Sequence, residues 1–303
     1  MRAIVTGGAG FVGSHVVEAL LAHRDEVYVL DDLSTGTRSF VPEGARFHEG
    51  DVRRDADAAF DEARPEVCFH LAAQADVPTS VERPAFDADV NVLGTIGVLE
   101  AARRHGTQVV FSSTGGAIYG ECEHRAREDD PRRPLSPYGV AKLASEEYLA
   151  AWNRLYGTRH VSLRLANVYG PRQSASLEGG VVAIFLERMA AGEPTQIYGD
   201  GLQERDFVHA GDVARAMLAA VGHGGGIYNI ASGTPVTVLE LHRLCRGVTG
   251  TGREPDFAPP RSGDVRRSAL DPGLAARELG WRAEQGLESG LRATWAWMEE
   301  QRS

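Results

Sequence analysis

The chain has 303 residues, a formal net charge of −10, and 43% hydrophobic against 24% charged side chains. That length suffices for one large or two modest domains with a substantial core, and no apolar run approaches a membrane span. The acidic balance argues against nucleic acid or an anionic membrane as the main partner.

Short β-branched runs at Ala3–Thr6, Val27–Leu30, Ala45–His48, Val67–His70, Val109–Phe111 and Val161–Leu165 read as strands. Between them, helical patterns lie at Phe11–His23, Asp57–Ala63, Pro84–His105 and Pro137–Tyr156. This alternation predicts an α/β fold with a doubly wound parallel sheet, whose ligands sit at the carboxyl ends of the strands. From about Gly170 the pattern loosens into helices at Val181–Ala191, Gly211–Val221, Val238–Cys245 and Gly290–Gln301, joined by loops such as Gly250–Pro260. This part is expected to form a smaller, interleaved substrate-covering region. Three cysteines, Cys68, Cys122 and Cys245, are an odd number without ligand-like spacing, so no disulfide framework and no metal are expected. Met1–Thr6 runs straight into the first strand rather than a long apolar segment, giving the expectation of a cytoplasmic protein.

The first strand ends in Thr6-Gly7-Gly8-Ala9-Gly10-Phe11-Val12-Gly13 and a helix follows. Gly7, Gly10 and Gly13 allow a tight turn and close backbone approach, and the helix N-terminus offers N–H groups to a pyrophosphate. Asp31 ends the second strand at the distance where a carboxylate would bind adenosine ribose hydroxyls, and Asp32 beside it would repel a 2′-phosphate. The pattern is that of a Rossmann-type site preferring NAD over NADP. Asp31 and Asp32 also fit a solvated turn leading into Ser34, Thr35 and Gly36, which are counted with the cofactor residues. Asp51 and Val52 follow the third strand, where they would flank the adenine, although a loop carboxylate is as often a helix cap.

Of 32 Lys+Arg residues, only Lys142 is a lysine, and it follows Tyr138 at the i+4 spacing that puts both on one helix face. A compact ammonium is not interchangeable with a guanidinium where it must meet a particular oxygen. A free phenol titrates near 10, too high for a base at neutral pH. A nearby ammonium and a positive nicotinamide both favour phenolate and are expected to bring Tyr138 toward working pH. Thr114, after the fifth strand, would orient the same substrate oxygen, unless its hydroxyl only ties a loop backbone. Thr114, Tyr138 and Lys142 together suit hydride transfer at a carbinol carbon.

These motifs resemble the extended short-chain dehydrogenase/reductases, and most closely their nucleotide-sugar epimerases of the UDP-glucose 4-epimerase kind. The resemblance also includes His70–Ala75, Asn91-Val92-Leu93-Gly94-Thr95, Asn167–Arg172, Gly199-Asp200-Gly201, Arg205–Val208, Pro260–Asp264 and Leu279-Gly280-Trp281. It implies that Phe11, Val12, Asp31, Asp51, Val52, Leu71, Ala72, Ala73, Gln74, Ala75, Asn91 and Lys142 contact NAD. It places Asn167, Arg205 and Arg261 on the diphosphate of a UDP-sugar, Tyr198 against the uracil and Asp264 on the uridine ribose. Val181 is added to the substrate contacts, although any of the arginines could instead be a surface charge. Residues 1–170, with 206–232 returning to them, would then hold NAD, and 171–205 with 233–303 the UDP-sugar. A homodimer through helices near Pro84–His105 and Pro137–Tyr156 is implied as well.

The activity so implied is epimerisation at C4 of a UDP-hexose through a 4-keto sugar. Two departures from the family stand out. Ser112-Ser113-Thr114 replaces a run of three serines and is followed by Gly115-Gly116. Ser268 stands where some members carry a bulky tyrosine, which would leave room for an N-acetyl group. A 4,6-dehydratase or decarboxylase of the same family is the rival reading, and it would need further acid–base groups after Thr114. The third alternative, a non-catalytic dinucleotide sensor, would have no use for Tyr138 and Lys142 together.

Overall fold

The computed structural model describes residues 1–175, 180–260 and 265–302. The N-terminal part runs β1 (Arg2–Thr6), α1 (Phe11–Ala22), β2 (Glu26–Asp31), β3 (Arg46–Glu49), α2 (Ala56–Ala63), β4 (Val67–His70), α3 (Val77–Glu82), α4 (Pro84–Ala88), α5 (Gly94–His105), β5 (Gln108–Thr114), α6 (Pro137–Tyr156) and β6 (Val161–Leu165). The remainder runs β7 (Asn167–Tyr169), α7 (Val181–Ala190), β8 (Gln196–Tyr198), β9 (Glu204–Arg205), β10 (Phe207–His209), α8 (Ala210–Ala219), β11 (Gly226–Ile230), β12 (Val236–Thr237), α9 (Val238–Thr249), β13 (Asp256–Ala258), β14 (Arg267–Ser268), α10 (Gly273–Glu278) and α11 (Leu287–Glu300). Seven strands form one parallel sheet in the order β11-β6-β5-β4-β1-β2-β3. The doubly wound α/β fold is therefore as expected.

Both faces of the sheet are covered, which is why its strands read as apolar runs. Ala3 and Val5 of β1 pack with Val16, Val17 and Leu20 of α1 on one side. Ile4 between them turns to Phe60, Leu99 and Leu149 on the other. A separate cluster joins α7, α9 and α11 through Phe185, Leu186, Leu241 and Leu291, with Tyr169 and Phe207 at its edge. Among the described residues no helix is long and apolar enough to cross a membrane.

Several features differ from the expected elements, and three stand in or beside the main sheet. β5 extends to Thr114, so the hydroxyl residues lie on the strand itself. The expected helix at Pro84–His105 is broken by a π-helical stretch at Asp89–Leu93. There the Asn91 carbonyl accepts from Thr95 Oγ1 (2.6 Å) and from Ser145 Oγ of α6 (2.9 Å). Such local widening puts side chains where a regular helix would not, and Asn91 is driven into the interior. The seventh strand, β11, pairs with β6 and was not among the expected strands.

Candidate functional site

A cleft of about 680 Å³ opens at the carboxyl ends of the strands, lined from the glycine turn at one end to Thr114, Tyr138 and Lys142 at the other. The glycines are there because nothing larger fits. Gly7 has φ +73°, and a Cβ on it would lie 2.6 Å from Ala72 N. A Cβ on Gly13 would come within 2.0 Å of Gly7 O. Gly10 precedes α1 with no side-chain cap, so the first N–H groups of the helix are left for a ligand. This cradle fits a pyrophosphate.

Asp31 is buried, and its carboxylate accepts from Ala9 N and Leu33 N, both at 2.9 Å. Burial raises its pKa against those bonds. Asp32 Oδ1 accepts from Ser34 N (2.9 Å) and Ser34 Oγ (2.6 Å), so the turn reading of this segment holds while Asp32, Ser34 and Thr35 also line the cleft. Gly36 instead packs on Asp31: a Cβ there would sit 2.7 Å from Asp31 Oδ1. Phe11, Val12, Asp51, Val52 and Leu71–Ala75 line the cleft as well. Arg53 clamps the Asp51 carboxylate through Nε at 2.9 Å and holds its pKa below the usual value. Asn91 lies behind the wall, with Oδ1 accepting from Gln74 N (3.0 Å) and Nδ2 donating to Gln74 O (2.9 Å).

α6 starts where sequence chemistry says it should. Ser136 Oγ accepts from Gly139 N at 3.2 Å, and Pro137 occupies the first turn. A Cβ at Gly139 would lie 2.4 Å from Ala117 O, so only glycine lets the helix approach the loop after β5. That approach brings the Tyr138 phenol to the Thr114 end of the cleft, where the Thr114 hydroxyl lowers the phenol's pKa. Lys142 is 3% exposed, donates from Nζ to Ser112 O at 2.9 Å, and lies 6.0 Å from the Tyr138 ring centroid. Lys142 is therefore not a solvated surface lysine.

The titration behaviour corrects one expectation. Burial raises the Tyr138 pKa, and the Asp87 carboxylate raises it further, against the Thr114 hydrogen bond. Lys142 is itself pushed down to about 8 by burial, with Asp87 and Glu146 opposing. The protein alone therefore does not make the phenol acidic. Of the two positive charges expected to favour phenolate, that of Lys142 does not by itself outweigh the burial, so that of an oxidised nicotinamide would be needed as well.

Two buried groups behind the pair escaped the sequence reading. Asp87 Oδ1 accepts from Gln74 Nε2 (2.8 Å) and Asn91 Nδ2 (3.0 Å), while its Oδ2 is buried without a hydrogen-bond partner. Glu146 accepts from Ser113 Oγ (2.6 Å) and from Arg164 Nε (2.9 Å) and Nη2 (2.7 Å). Tyr138, Lys142 and Glu146 recur at i, i+4 and i+8 on one face, a spacing that could have flagged Glu146.

The residues assigned to the UDP-sugar are less gathered. Asn167, Val181, Tyr198 and Arg205 stand on β7, α7, β8 and β9, outside the cleft lining, which ends at Val168 and Gln173. Arg261 and Asp264 lie outside the described residues. Ser268 and Thr114 both lie near Gly116: a Cβ there would be 3.8 Å from Ser268 Oγ and 4.0 Å from Thr114 Oγ1. Among the described residues, the cleft carboxylates are Asp31, Asp32, Asp51 and Asp76, and none follows Thr114. Glu121, the next acid along the chain, accepts instead from Arg266 N at 2.8 Å and Arg267 N at 3.2 Å.

Because the chain has a single lysine, selective isotopic labelling of lysine side chains gives one nuclear magnetic resonance signal that reports Lys142 alone. In the cofactor-free protein that signal should titrate with a midpoint of about 8. A midpoint near the ordinary lysine value of about 10.4 would contradict the burial described here.

The family model for the NAD dependent epimerase/dehydratase family matches residues 3–231. The UDP-glucose 4-epimerase of Mycolicibacterium smegmatis is 44% identical over 97% of both chains. The crystal structure of a UDP-glucose 4-epimerase from Thermotoga maritima with UDP-glucose superposes with a TM-score of 0.97 at 44% identity, covering 100% of both chains. A Thermus thermophilus UDP-glucose 4-epimerase in complex with NAD gives 0.93 at 47% identity over 99% of both. The fold is thus shared along the whole chain with these enzymes, and the protein belongs to the NAD dependent epimerase/dehydratase family, with NAD as its cofactor.

Proposed function

We propose that the chain inverts C4 of a UDP-hexose, with UDP-glucose and UDP-galactose as the first pair. The observation that carries this reading is the meeting of Thr114, Tyr138 and Lys142 at the far end of the cleft that the glycine turn opens. When bound, NAD would supply a hydride acceptor and donor for C4, held by the glycine cradle and Asp31. Tyr138 takes the C4 hydroxyl proton, and Thr114 orients that oxygen. Lys142, fixed on Ser112 O, supplies the positive charge under the phenol. Inversion then needs the hexose to turn over while the nucleotide is held. We assign that grip to Asn167, Val181, Tyr198, Arg205, Arg261 and Asp264, and divide the chain as 1–170 with 206–232 for NAD and 171–205 with 233–303 for the UDP-sugar.

Elimination or decarboxylation needs an acid–base group near C5 and C6, and the glycines after Thr114 with Glu121 turned to the 266–267 backbone leave epimerisation favoured. The small Ser268, near Gly116 just after Thr114, supports the N-acetyl hexosamines as a second substrate pair. Acting on UDP-sugars, the enzyme would work in the cytoplasm. We also propose a homodimer. Val77 and Val81 of α3, Leu93 before α5, and Val140 and Tyr148 of α6 are exposed on elements that pack against one another, with Leu93 58% and Val140 54% exposed. Pairing this face with a second copy would bury it.

The purified protein incubated with a panel of UDP-sugars should interconvert C4 epimers, resolved by chromatography. Tyr138→Phe should lower kcat by roughly 10²–10⁴-fold. A 4-keto-6-deoxy sugar or a pentose as product would move the chain to a rival class, and full activity in the variant would refute the role given to the phenol. For the interface, light scattering should report a dimer for the native chain and a monomer for the Leu93→Asp/Val140→Asp double variant. A native monomer at micromolar concentration would dispose of the proposed dimer.

A further inference from the structure

The loop from Gly120 to Asp130 gathers three side chains that the reaction does not use. Cys122 Sγ lies 3.8 Å from His124 Nε2 and 3.9 Å from His124 Nδ1. His124 Nε2 lies 2.8 Å from Asp130 Oδ2. One ligand atom from each residue falls within 4.8 Å of the others. Tetrahedral zinc, with bonds of about 2.0–2.3 Å to nitrogen, oxygen and sulfur, sets its ligand atoms roughly 3.3–3.7 Å apart. The Sγ–Nε2 pair stands close to such an edge, whereas Nε2 and Asp130 Oδ2 are at hydrogen-bond distance, so side-chain rotations that part those two would complete three corners.

We propose that Cys122, His124 and Asp130 bind a transition-metal dication of the zinc class, with solvent in the fourth position. Thiolate, imidazole and carboxylate together select a borderline ion such as zinc or cobalt over magnesium or calcium, which prefer all-oxygen sets. On binding, the Cys122 thiol gives its proton to solvent, His124 carries its proton on Nδ1 instead of Nε2, and the freed sulfur and nitrogen bond the metal with the Asp130 carboxylate. The expectation of no metal came from the odd number and spacing of the three cysteines, whereas the other ligands here are a histidine and a carboxylate eight residues from Cys122. The fold closes that gap, because Asp130 N donates to Arg127 O (3.1 Å) and Arg127 N donates back to Asp130 Oδ2 (2.7 Å).

The position gives the metal a task. On either side of the ligands the loop is laced to the 266–271 segment. Glu121 accepts from Arg266 N and Arg267 N. Arg267 Nη1 donates to Glu123 O at 2.8 Å. Ala126 N donates to Ala269 O at 2.8 Å, and Asp271 N to Ala126 O at 2.9 Å. This segment carries Ser268 to the neighbourhood of Thr114. A metal on Cys122, His124 and Asp130 braces the loop that holds it there.

The test is independent of the proposed reaction. Untagged, reduced protein titrated with cobalt(II) alone should develop a thiolate-to-cobalt charge-transfer band that saturates at one equivalent and is abolished by zinc. Cys68 and Cys245 are fully buried, so the band would report Cys122. Cys122→Ser and His124→Ala should each lose it, and Asp130→Asn should weaken binding at least tenfold. Circular dichroism and bound NAD, unchanged in Cys122→Ser, keep misfolding apart from ligand loss. No band, or a band that persists in Cys122→Ser, would overturn the site.

Discussion

The catalytic end of this protein depends on one unusual burial. Lys142 is taken out of water on the inner face of α6, with its ammonium held by the Ser112 carbonyl of β5 and favoured by the negative charges of Asp87 and Glu146 against the cost of burial. Lowering its pKa from 10.5 to about 8 corresponds to roughly 3 kcal/mol against keeping the charge. An arginine would not fit this role, since its charge is spread over a fork that needs several acceptors. The carbonyl that receives Lys142 belongs to the same strand end that presents Thr114, so the lysine also fixes α6 at the distance where Tyr138 meets Thr114.

That helix position is over-determined from behind. Glu146, one turn beyond Lys142, is tied to Ser113 of β5 and to Arg164 of β6, and Arg164 Nη1 donates to the Tyr119 hydroxyl at 2.6 Å. Tyr119 OH in turn donates to Asn229 Oδ1 of β11 at 2.9 Å. Three neighbouring strands of the sheet are thus bound to one helix through a single buried ion pair. Breaking such a pair on one side leaves an uncompensated charge in the interior and is far more damaging than its net worth suggests. Rigidity at this end matches the demand of the chemistry, in which the sugar turns over while the protein groups stay still.

Much of this was legible in the chain, for local reasons. β4 and β6 fall at Val67–His70 and Val161–Leu165 because apolar runs bounded by polar residues are strands in a covered parallel sheet. α6 is bounded by Ser136-Pro137 and by Gly157, whose φ of +66° closes the helix in the left-handed region. The glycine turn and the Tyr138/Lys142 spacing are equally local. What was not legible is tertiary. The π-helical stretch at Asp89–Leu93 exists because Ser145, on another helix, takes the Asn91 carbonyl. β11 is a strand because β6 offers its edge, and the two-residue β9, β12 and β14 exist only by pairing with one another. The direction of the phenol's titration depended on how deeply Tyr138 is buried and on Asp87, neither of which spacing reveals.

A hydrogen that leaves C4 and returns within one closed site should never reach solvent. UDP-galactose carrying deuterium at C4, converted by the protein in ordinary water and analysed by mass spectrometry, should yield UDP-glucose with the deuterium fully retained at C4. Loss of the label to solvent during conversion would contradict hydride transfer to and from an enzyme-held NAD, and with it the role given to the Tyr138–Lys142 end of the cleft.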